Sequence, residues 1–210
     1  MQLIKKLYLK VFGEAWLGRS IRYKLVKKNI EPGEKFLDVG CGDGFYLDKL
    51  NNKFGFLTGI EIDSKFKITR ADGKFIPFKN GIFDCILCSE VLEHDINPEK
   101  IIKEISRVIK RKGVFLLTTP SKSVIKLPDH VVSGYSISEL KKMLKNSGFI
   151  IEKTILYFKR FGYFIWEIDR SVAGKPLGFI LFPIFSLLVK IDNLIGGKGK
   201  FIFLKTRKLW

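Results

Sequence analysis

The chain has 210 residues, of which 46% are hydrophobic and 28% are charged. That length and composition are usual for one globular domain with an elaboration, and they exclude a disordered, collagen-like or disulfide-stapled protein. The net charge of +17 lies mostly at the two ends, since residues 1–30 carry eight Lys/Arg against one acid and residues 153–210 carry eleven against three. A basic surface of this kind attracts nucleic acid or anionic lipid.

The first predicted element is a basic amphipathic helix near the amino terminus. Its apolar residues recur at helical spacing, with lysines on the other side. The apolar residues are Leu3, Ile4, Leu7, Tyr8, Val11 and Phe12. Because Lys5, Lys6 and Lys10 interrupt the apolar run, we expect no secretory signal and a location in the cytosol or on the cytosolic face of a membrane. Residues 21–30 predict a second helix.

Helices and strands then alternate through the nearly neutral middle of the chain. Strands are predicted at residues 35–39, 54–62, 66–71, 81–89, 114–120, 149–158 and 200–208, and helices at 45–52, 98–113 and 136–147. Asn97 and Pro98 begin the second of these helices, and Ser136 with Glu139 forms a capping box on the third. The alternation predicts an α/β, Rossmann-like sheet of seven mostly parallel strands with helices on both faces.

Three cysteines, an odd number in a chain of this length, favour a reducing compartment. Cys85 and Cys88 form a single C-x-x-C within a predicted strand, where residues three apart point to opposite faces. Such a pair cannot chelate one metal ion. We therefore predict buried thiols and no metal site.

A glycine-rich turn follows the first predicted strand, in FLDVGCGDGFYL at residues 36–47. Phe45 stands where the dinucleotide pattern G-x-G-x-x-G requires its third glycine, and the phosphate loop G-x-x-x-x-G-K-[ST] is absent from the sequence. Glycines let the backbone approach a bound group closely, and the carboxylate of Asp38 complements a cation. The turn therefore fits neither phosphate-binding pattern well.

The order D-x-G-x-G-x-G resembles the first motif of class I S-adenosylmethionine-dependent methyltransferases, in particular the type 11 and quinone-biosynthesis-like group. The resemblance continues in order to about residue 155. It includes GIEID at 59–63, ADGKFIPF at 71–78, FDCILCSEVLEH at 83–94 and RVIKRKGVFLLTTPS at 107–121. In the last segment Arg111 and Lys112 replace the family's usual Pro and Gly, at a surface turn. The resemblance implies methyl transfer as the activity and S-adenosylmethionine as the cofactor.

The resemblance also implies a set of cofactor-binding residues. Asp38 would meet the ammonium group and Glu61 the ribose hydroxyls, whereas Asp63 would face solvent. Asp72 would reach the adenine amino group, and the backbone amide of Gly73 would meet the ring. The implied set is Asp38, Gly40, Cys41, Gly42, Gly44, Glu61, Ile62, Asp72, Gly73 and Ser89. Taken singly, these residues also suit turns and strand ends.

Methyl transfer from a sulfonium needs alignment and exclusion of water, so a dedicated catalytic residue is optional. His94 and His130, the two histidines, fall in segments that border the expected acceptor pocket, and each is a candidate general base. Each is also compatible with a structural role, His94 as a helix brace and His130 as a loop residue. Further candidates are Glu90, Glu93 and Tyr135.

An aromatic-rich insertion, residues 158–198, precedes the final strand. Its segment PLGFILFPIFSLLV, residues 176–189, carries no charge. Because a spanning helix needs ~20 apolar residues and Pro183 interrupts this segment, we expect an apolar helical insertion that does not cross a bilayer. It could be a lid, a dimer contact or a membrane-surface element, or an ordinary core element. The predicted segments of the chain are 1–30, 31–157, 158–198 and 199–210.

Three functional hypotheses stay open at this point. The first is methyl transfer to a small-molecule or lipid-like acceptor, reached at an anionic membrane surface, because basic charge beside apolar sequence is typical of peripheral proteins. The second is an RNA or protein methyltransferase that uses the basic surface, although the aromatic residues lie in apolar runs and no known RNA-binding module is present. The third is a noncatalytic cofactor-binding scaffold on the same fold.

Overall fold

The computed structural model describes residues 16–63, 68–173, 175–192 and 196–210. The predicted amphipathic helix at residues 3–12 lies outside these ranges. The chain forms two compact units. We name them the helical unit, Met1–Leu25 with Leu156–Lys200, and the sheet unit, Val26–Ile155 with Phe201–Trp210.

Seven strands form one sheet. They are β1 (Gly33–Val39), β2 (Phe54–Glu61), β3 (Thr69–Arg70), β4 (Phe83–Ser89), β5 (Ile109–Pro120), β6 (Phe149–Tyr157) and β7 (Phe201–Lys208). Their order is β3-β2-β1-β4-β5-β7-β6. The pairs from β3 through β5 are parallel, and β7 runs antiparallel to β5. This confirms the predicted Rossmann-like, mostly parallel sheet.

Six α-helices occur within the described ranges. They are α1 (Trp16–Asn29), α2 (Phe45–Leu50), α3 (Pro98–Val108), α4 (Ile137–Asn146), α5 (Arg160–Val172) and α6 (Pro176–Ile191), and a 3-10 helix covers Leu92–His94. The capping box of α4 is present: Ser136 Oγ accepts from the backbone of Glu139, whose carboxylate accepts from the backbone of Ser136. The insertion before β7 is helical, as predicted, and α6 continues through Pro183. In the described part of the chain, no helix has the length and apolar character needed to span a bilayer.

Two predicted boundaries and one predicted capping hydrogen bond differ from the structure. Helix α3 ends at Val108 instead of residue 113, because Ile109 takes an extended backbone and pairs with Phe83 of β4. Asn97 holds the cap position of α3 but its side chain makes no capping hydrogen bond. Of the strand predicted at 66–71, the described residues show only Thr69–Arg70 as strand.

A buried apolar cluster holds β1 and β4 in place, and the ends of these strands carry residues of the candidate site. Helix α3 places one face of aliphatic side chains in this cluster, and burying each contributes about 1.5–3 kcal/mol. Those side chains are Ile101, Ile102, Ile105 and Val108, and they share the cluster with Leu37, Val39, Ile86 and Cys88 of β1 and β4. The three cysteines are free and buried, which confirms the prediction for Cys85 and Cys88.

Candidate functional site

The turn between β1 and α2 contains three glycines with left-handed backbone. Their φ angles are +71° at Gly40, +53° at Gly42 and +80° at Gly44. A Cβ atom on Gly40 would lie 2.3 Å from Cγ2 of Val91, so this position excludes any side chain. A Cβ atom on Gly42 would meet nothing within 4 Å. The turn therefore borders an open space that a bound group could fill against the backbone.

Glu61 holds this turn at the end of β2. Its Oε2 accepts a 2.9 Å hydrogen bond from the backbone N–H of Gly42, and its Oε1 accepts one of 2.8 Å from Ile62. The backbone N–H groups of Gly40 and Cys41 both donate to the Ile60 carbonyl. Each carboxylate oxygen of Glu61 keeps a further lone pair for a donor such as a ribose hydroxyl. The side chain of Ile62 is 58% exposed beside it.

Asp38, one residue before the end of β1, is a buried carboxylate. It is 1% exposed, and its Oδ2 has no hydrogen-bond partner among the described residues. Burial raises the pKa of Asp38 well above its usual value, and the charges of Glu61 and Asp43 add to the effect. A buried carboxylate in this state gains most from a cation placed against it. The ammonium and sulfonium of S-adenosylmethionine fit that requirement.

Asp72 and Gly73 follow β3. The preceding residue, Ala71, donates its backbone N–H to the Glu61 carbonyl at 3.1 Å. A Cβ atom on Gly73 would lie 3.3 Å from Cγ1 of Val39, so this segment packs against the end of β1. Asp72 keeps its carboxylate oriented through a 2.8 Å hydrogen bond from the backbone of Lys74. The predicted acidic residues therefore lie at the carboxyl ends of three adjacent strands, and their contacts with a cofactor stay a prediction.

Ser89 ends β4 and belongs to a chain of side-chain hydrogen bonds. Its Oγ lies 2.9 Å from Oγ1 of Thr118 and 3.4 Å from the hydroxyl of Tyr46. Thr118 Oγ1 also donates to Oε1 of Glu90 at 2.9 Å. Glu90 has a φ of +57°, which is unusual for a residue with a side chain and is common at functional sites.

Sequence reasoning missed Thr118 and Tyr46 as members of this group. Each lies within a segment of the family resemblance, Tyr46 two residues after Gly44 in residues 36–47 and Thr118 on β5 in residues 107–121. Since Thr118 pairs with Ser89 in the β4–β5 register, the strand assignment itself was the signal that could have found it.

The two histidines come together beside Glu93. The ring centroids of His94 and His130 are 4.6 Å apart with an interplanar angle of 80°. His94 is exposed and its Nδ1 lies 2.9 Å from the Asp129 carbonyl, whereas His130 is buried. Tyr135 donates its hydroxyl to the Leu92 carbonyl at 2.7 Å, and this hydrogen bond holds the segment in place. Burial raises the pKa of Tyr135. A general base among these residues stays a prediction.

A mostly parallel seven-stranded sheet, with a glycine turn after β1 and acids at the adjoining strand ends, defines the class I methyltransferase fold. A family model described as a methyltransferase domain matches residues 16–154, and the chain therefore belongs to that family. The protein is an S-adenosylmethionine-dependent methyltransferase, and S-adenosylmethionine is its cofactor.

Two relatives are similar to the chain in sequence, and one of them has a methyltransferase name. An uncharacterized protein of Methanocaldococcus jannaschii is 28% identical over 159 residues, 72% of this chain and 62% of that protein. The ubiquinone/menaquinone biosynthesis C-methyltransferase UbiE of Wigglesworthia glossinidia brevipalpis is 29% identical over 170 residues, 71% of this chain and 65% of that protein. The chain thus spans less than two thirds of each of these two relatives.

A solved structure shows the same fold. It is phosphoethanolamine N-methyltransferase 2 of Haemonchus contortus, in complex with phosphomonomethylethanolamine and S-adenosylhomocysteine. It superposes with a TM-score of 0.67 at 16% identity and covers 95% of this chain and 54% of its own. At this identity the likeness concerns the fold alone.

Proposed function

We propose that this methyltransferase transfers the methyl group to a hydrophobic, lipid-like small molecule that it meets at an anionic membrane surface. The observation that carries the proposal is an exposed apolar stripe along α6 in the helical unit. The stripe consists of Leu177, Ile180, Ile184, Leu187 and Ile191, which are between 41% and 66% exposed.

The spacing of these five residues places them on one face of the helix. Steps of three and four residues follow the helical period, so their side chains lie in one row. The packed side of α6 is a different one, since Phe182 contacts the ring of Trp16 at 4.3 Å between centroids and Phe185 is buried. The stripe is therefore an apolar face that the helical unit leaves to solvent.

The charge of the helical unit suits an anionic surface. Its sequence ranges contain thirteen Lys/Arg against four Asp/Glu. Lys175 and Lys190 are exposed at the two ends of the charge-free part of α6. Basic side chains beside an apolar helical face are how interfacial helices bind membranes that contain anionic lipid.

The relatives support the acceptor class in two ways. The similar UbiE protein is named for ubiquinone and menaquinone biosynthesis. The Haemonchus structure holds a small molecule beside the demethylated cofactor. Both observations support a small-molecule acceptor for this chain.

The residues of the sheet unit have separate tasks in the proposed reaction. Bound S-adenosylmethionine supplies a methyl group already activated by the sulfonium. Asp38 would hold the ammonium, Glu61 the ribose hydroxyls and Asp72 the adenine amino group. Thr118 and Glu90, hydrogen-bonded to Ser89 of the predicted cofactor set, would orient the acceptor in line with that methyl group, since alignment and exclusion of water lower the barrier.

Flotation with lipid vesicles tests the membrane half of the proposal. We expect the protein to float with vesicles of phosphatidylglycerol and phosphatidylcholine at low salt, and not with phosphatidylcholine alone. Ile180→Glu together with Leu187→Glu should abolish flotation. The matched control is Ile150→Glu, an exposed apolar residue on β6, which should float like the parent. No flotation at low salt, or equal flotation of all variants, would contradict membrane attachment.

Labelling in a cell extract tests the acceptor class. The protein is incubated with methyl-labelled cofactor, and the extract is separated into organic, nucleic acid and protein fractions. We expect the label in the organic fraction. Label in RNA or protein alone would favour an RNA or protein methyltransferase. Calorimetric binding of the cofactor without label in any fraction would favour the scaffold.

A further inference from the structure

Glu93, His94 and His130 present a set of metal-ligand atoms that the cofactor site does not use. One carboxylate oxygen of Glu93 and one ring nitrogen of each histidine all lie within 4.8 Å of one another. Two of the three ligands come from the 3-10 helix after β4, and the third comes from the loop between β5 and α4. Residues that are 36 positions apart in the chain are thus brought to one point.

The surroundings fix each ligand in place. The backbone N–H groups of Val131 and Val132 donate to the Glu93 carbonyl at 2.8 and 3.2 Å, which holds the loop of His130 against the 3-10 helix. Thr119 Oγ1 donates to Oε2 of Glu93 at 3.0 Å. Outer hydrogen bonds of this kind orient metal ligands and raise their affinity.

The tautomer of His94 also suits a ligand. Its Nδ1 lies 2.9 Å from the backbone carbonyl of Asp129, which can only accept a hydrogen bond. The proton therefore resides on Nδ1, and the lone pair of Nε2 is available to a metal. A backbone carbonyl paired with the distal ring nitrogen is the usual second partner of a metal-bound histidine.

Burial gives a further reason for a cation. Glu93 is 0% exposed, and a buried carboxylate costs several kcal/mol unless positive charge or hydrogen bonds compensate it. The carboxylate of Glu93 faces two imidazoles, which are donors that a divalent transition metal prefers.

We propose that Glu93, His94 and His130 bind one divalent transition-metal ion, with Zn²⁺ as the natural occupant. Two histidines and one glutamate are a ligand set of zinc sites that keep a fourth position open. His94 is the exposed member, so the open position is accessible to water or to an oxygen atom of an acceptor. The sequence alone predicts no metal here, because it draws attention only to the cysteine pair.

Metal binding gives the two histidines a role other than general base. A metal-bound imidazole has no lone pair with which to accept a proton. Coordination of an acceptor oxygen would hold that atom near the end of β4, and this part of the inference rests on the proposed methyl transfer. Binding of the metal itself does not rest on the proposed methyl transfer, so an experiment can contradict either one without contradicting the other.

The test is titration with Co²⁺, a spectroscopic substitute for Zn²⁺, of chelator-treated protein without a polyhistidine tag. We expect one equivalent to bind, with visible absorption typical of nitrogen and oxygen ligands, and Zn²⁺ to displace it. His94→Asn, His130→Asn and Glu93→Gln should each weaken binding at least tenfold. Glu99→Gln, an exposed acid on the neighbouring α3, should bind like the parent.

Circular dichroism checks that each variant is folded. Glu93→Gln changes a buried charge and could disturb folding. Thr119→Val is a milder substitution, because valine has nearly the shape of threonine and removes only the hydrogen bond to Glu93. It should lower Co²⁺ affinity roughly tenfold through the lost outer hydrogen bond. Absence of a saturable single site, equal affinity in folded histidine variants, or the intense near-ultraviolet band of sulfur ligation, which would assign the metal to cysteine, would each overturn the proposal.

Discussion

The backbone N–H of Gly42 donates a 2.9 Å hydrogen bond to Oε2 of Glu61. This contact joins the glycine turn after β1 to the last residue of β2, across nineteen positions of sequence. Because the turn and the acid hold each other, neither can move without disturbing the other. The two family motifs that carry them form one structural unit at the edge of the sheet.

The open space at Gly42 leads to a first prediction. Gly42→Ala should lower cofactor affinity about tenfold or more, because its methyl group would occupy the space that the cofactor needs, and overpacking costs about 1–3 kcal/mol. The left-handed backbone should also reduce stability by about 1–2 kcal/mol. Calorimetry with S-adenosylhomocysteine measures the affinity, and urea denaturation measures the free energy of unfolding.

Gly81→Ala is the matched control. Gly81 has a φ of +61°, and a Cβ atom on it would meet nothing within 4 Å, so the backbone cost is similar. Its cofactor affinity should equal that of the parent. If both variants lost affinity equally, the loss at residue 42 would reflect stability alone.

Asp38 leads to a prediction that links function to stability. Its pKa is raised by burial and by the charges of Glu61 and Asp43, so the ionised form destabilises the folded protein. The direction of the pH dependence follows from linkage. The neutral carboxyl of Asp38 contributes its full stabilisation below the unfolded pKa of 3.8, and this contribution is lost as pH rises through the raised pKa of the folded protein. Asp38→Asn should therefore be more stable than the parent at neutral pH, and the gain should vanish below about pH 3.8.

The same variant should bind the cofactor less tightly. Loss of a charged hydrogen-bond partner costs about 1.5–3 kcal/mol, which is about a ten- to hundredfold rise in Kd. Thermal unfolding across pH and calorimetry at neutral pH measure the two effects. A loss of stability at neutral pH would contradict the raised pKa of Asp38, and full affinity would show that Asp38 does not face the ammonium group.

The edge of the sheet that carries the predicted cofactor residues could be identified from the sequence, because each acid or glycine turn lies next to its own strand. Each strand end carries its own acid or glycine turn, and parallel strands bring their carboxyl ends to one edge of the sheet. The resemblance to the methyltransferase family then assigned Asp38, Glu61 and Asp72 to one cofactor site without knowledge of the full topology, and that assignment stays a prediction.

Other features depend on long-range contacts and could not be read in this way. The helical period of α3 extends through Ile109, yet pairing with Phe83 turns that residue into strand. The insertion of β7 between β5 and β6 joins segments far apart in the chain. The contact of Glu93 with the histidine pair depends on how the loop after β5 folds back, and the sequence carries no periodic signal for it.

An ion network at the far end of β7 predicts acid sensitivity. Arg207 contacts Glu31 through two nitrogen–oxygen pairs, at 2.6 and 3.1 Å, and Lys205 also contacts Glu31. Hydrogen bonds from Arg207, and then from Lys205, lower the pKa of Glu31 from 4.5 to about 2. The stability from this pair is complete above pH 4.5 and is lost as pH falls towards about 2.

Arg207→Gln should therefore lower the free energy of unfolding at neutral pH. Because Glu31 is partly exposed, the loss should be about 1 kcal/mol or less. Urea denaturation at several pH values should show the difference from the parent shrinking below pH 4.5. Lys145→Gln, which removes an exposed positive charge on α4, is the control and should show no such shrinkage. Arg207 also contacts Glu152 and lowers the pKa of that carboxyl, so a difference that stayed constant down to about pH 2 would contradict the assignment to these two carboxylates.

Two substitutions of Glu90 can separate the effect of its left-handed backbone on stability from the effect of its carboxylate on methyl transfer. Glu90→Gly and Glu90→Ala both remove the carboxylate that accepts from Thr118, but only glycine relieves the φ of +57°. The glycine variant should be more stable than the alanine variant by about 1 kcal/mol, measured by urea denaturation. Both should bind the cofactor yet transfer less label to the organic fraction of an extract, because the acceptor is no longer oriented.

Lys112 provides the matched control for this strain. It has a φ of +62° at an exposed position of β5, where the sequence predicted a surface turn and where the family usually has glycine. Lys112→Gly should gain about the same 1 kcal/mol without any change in methyl transfer. If the two variants at residue 90 were equally stable, the backbone there would carry no strain. If they transferred label as fast as the parent, Glu90 would hold its unusual conformation for packing with Thr118 and not for the acceptor.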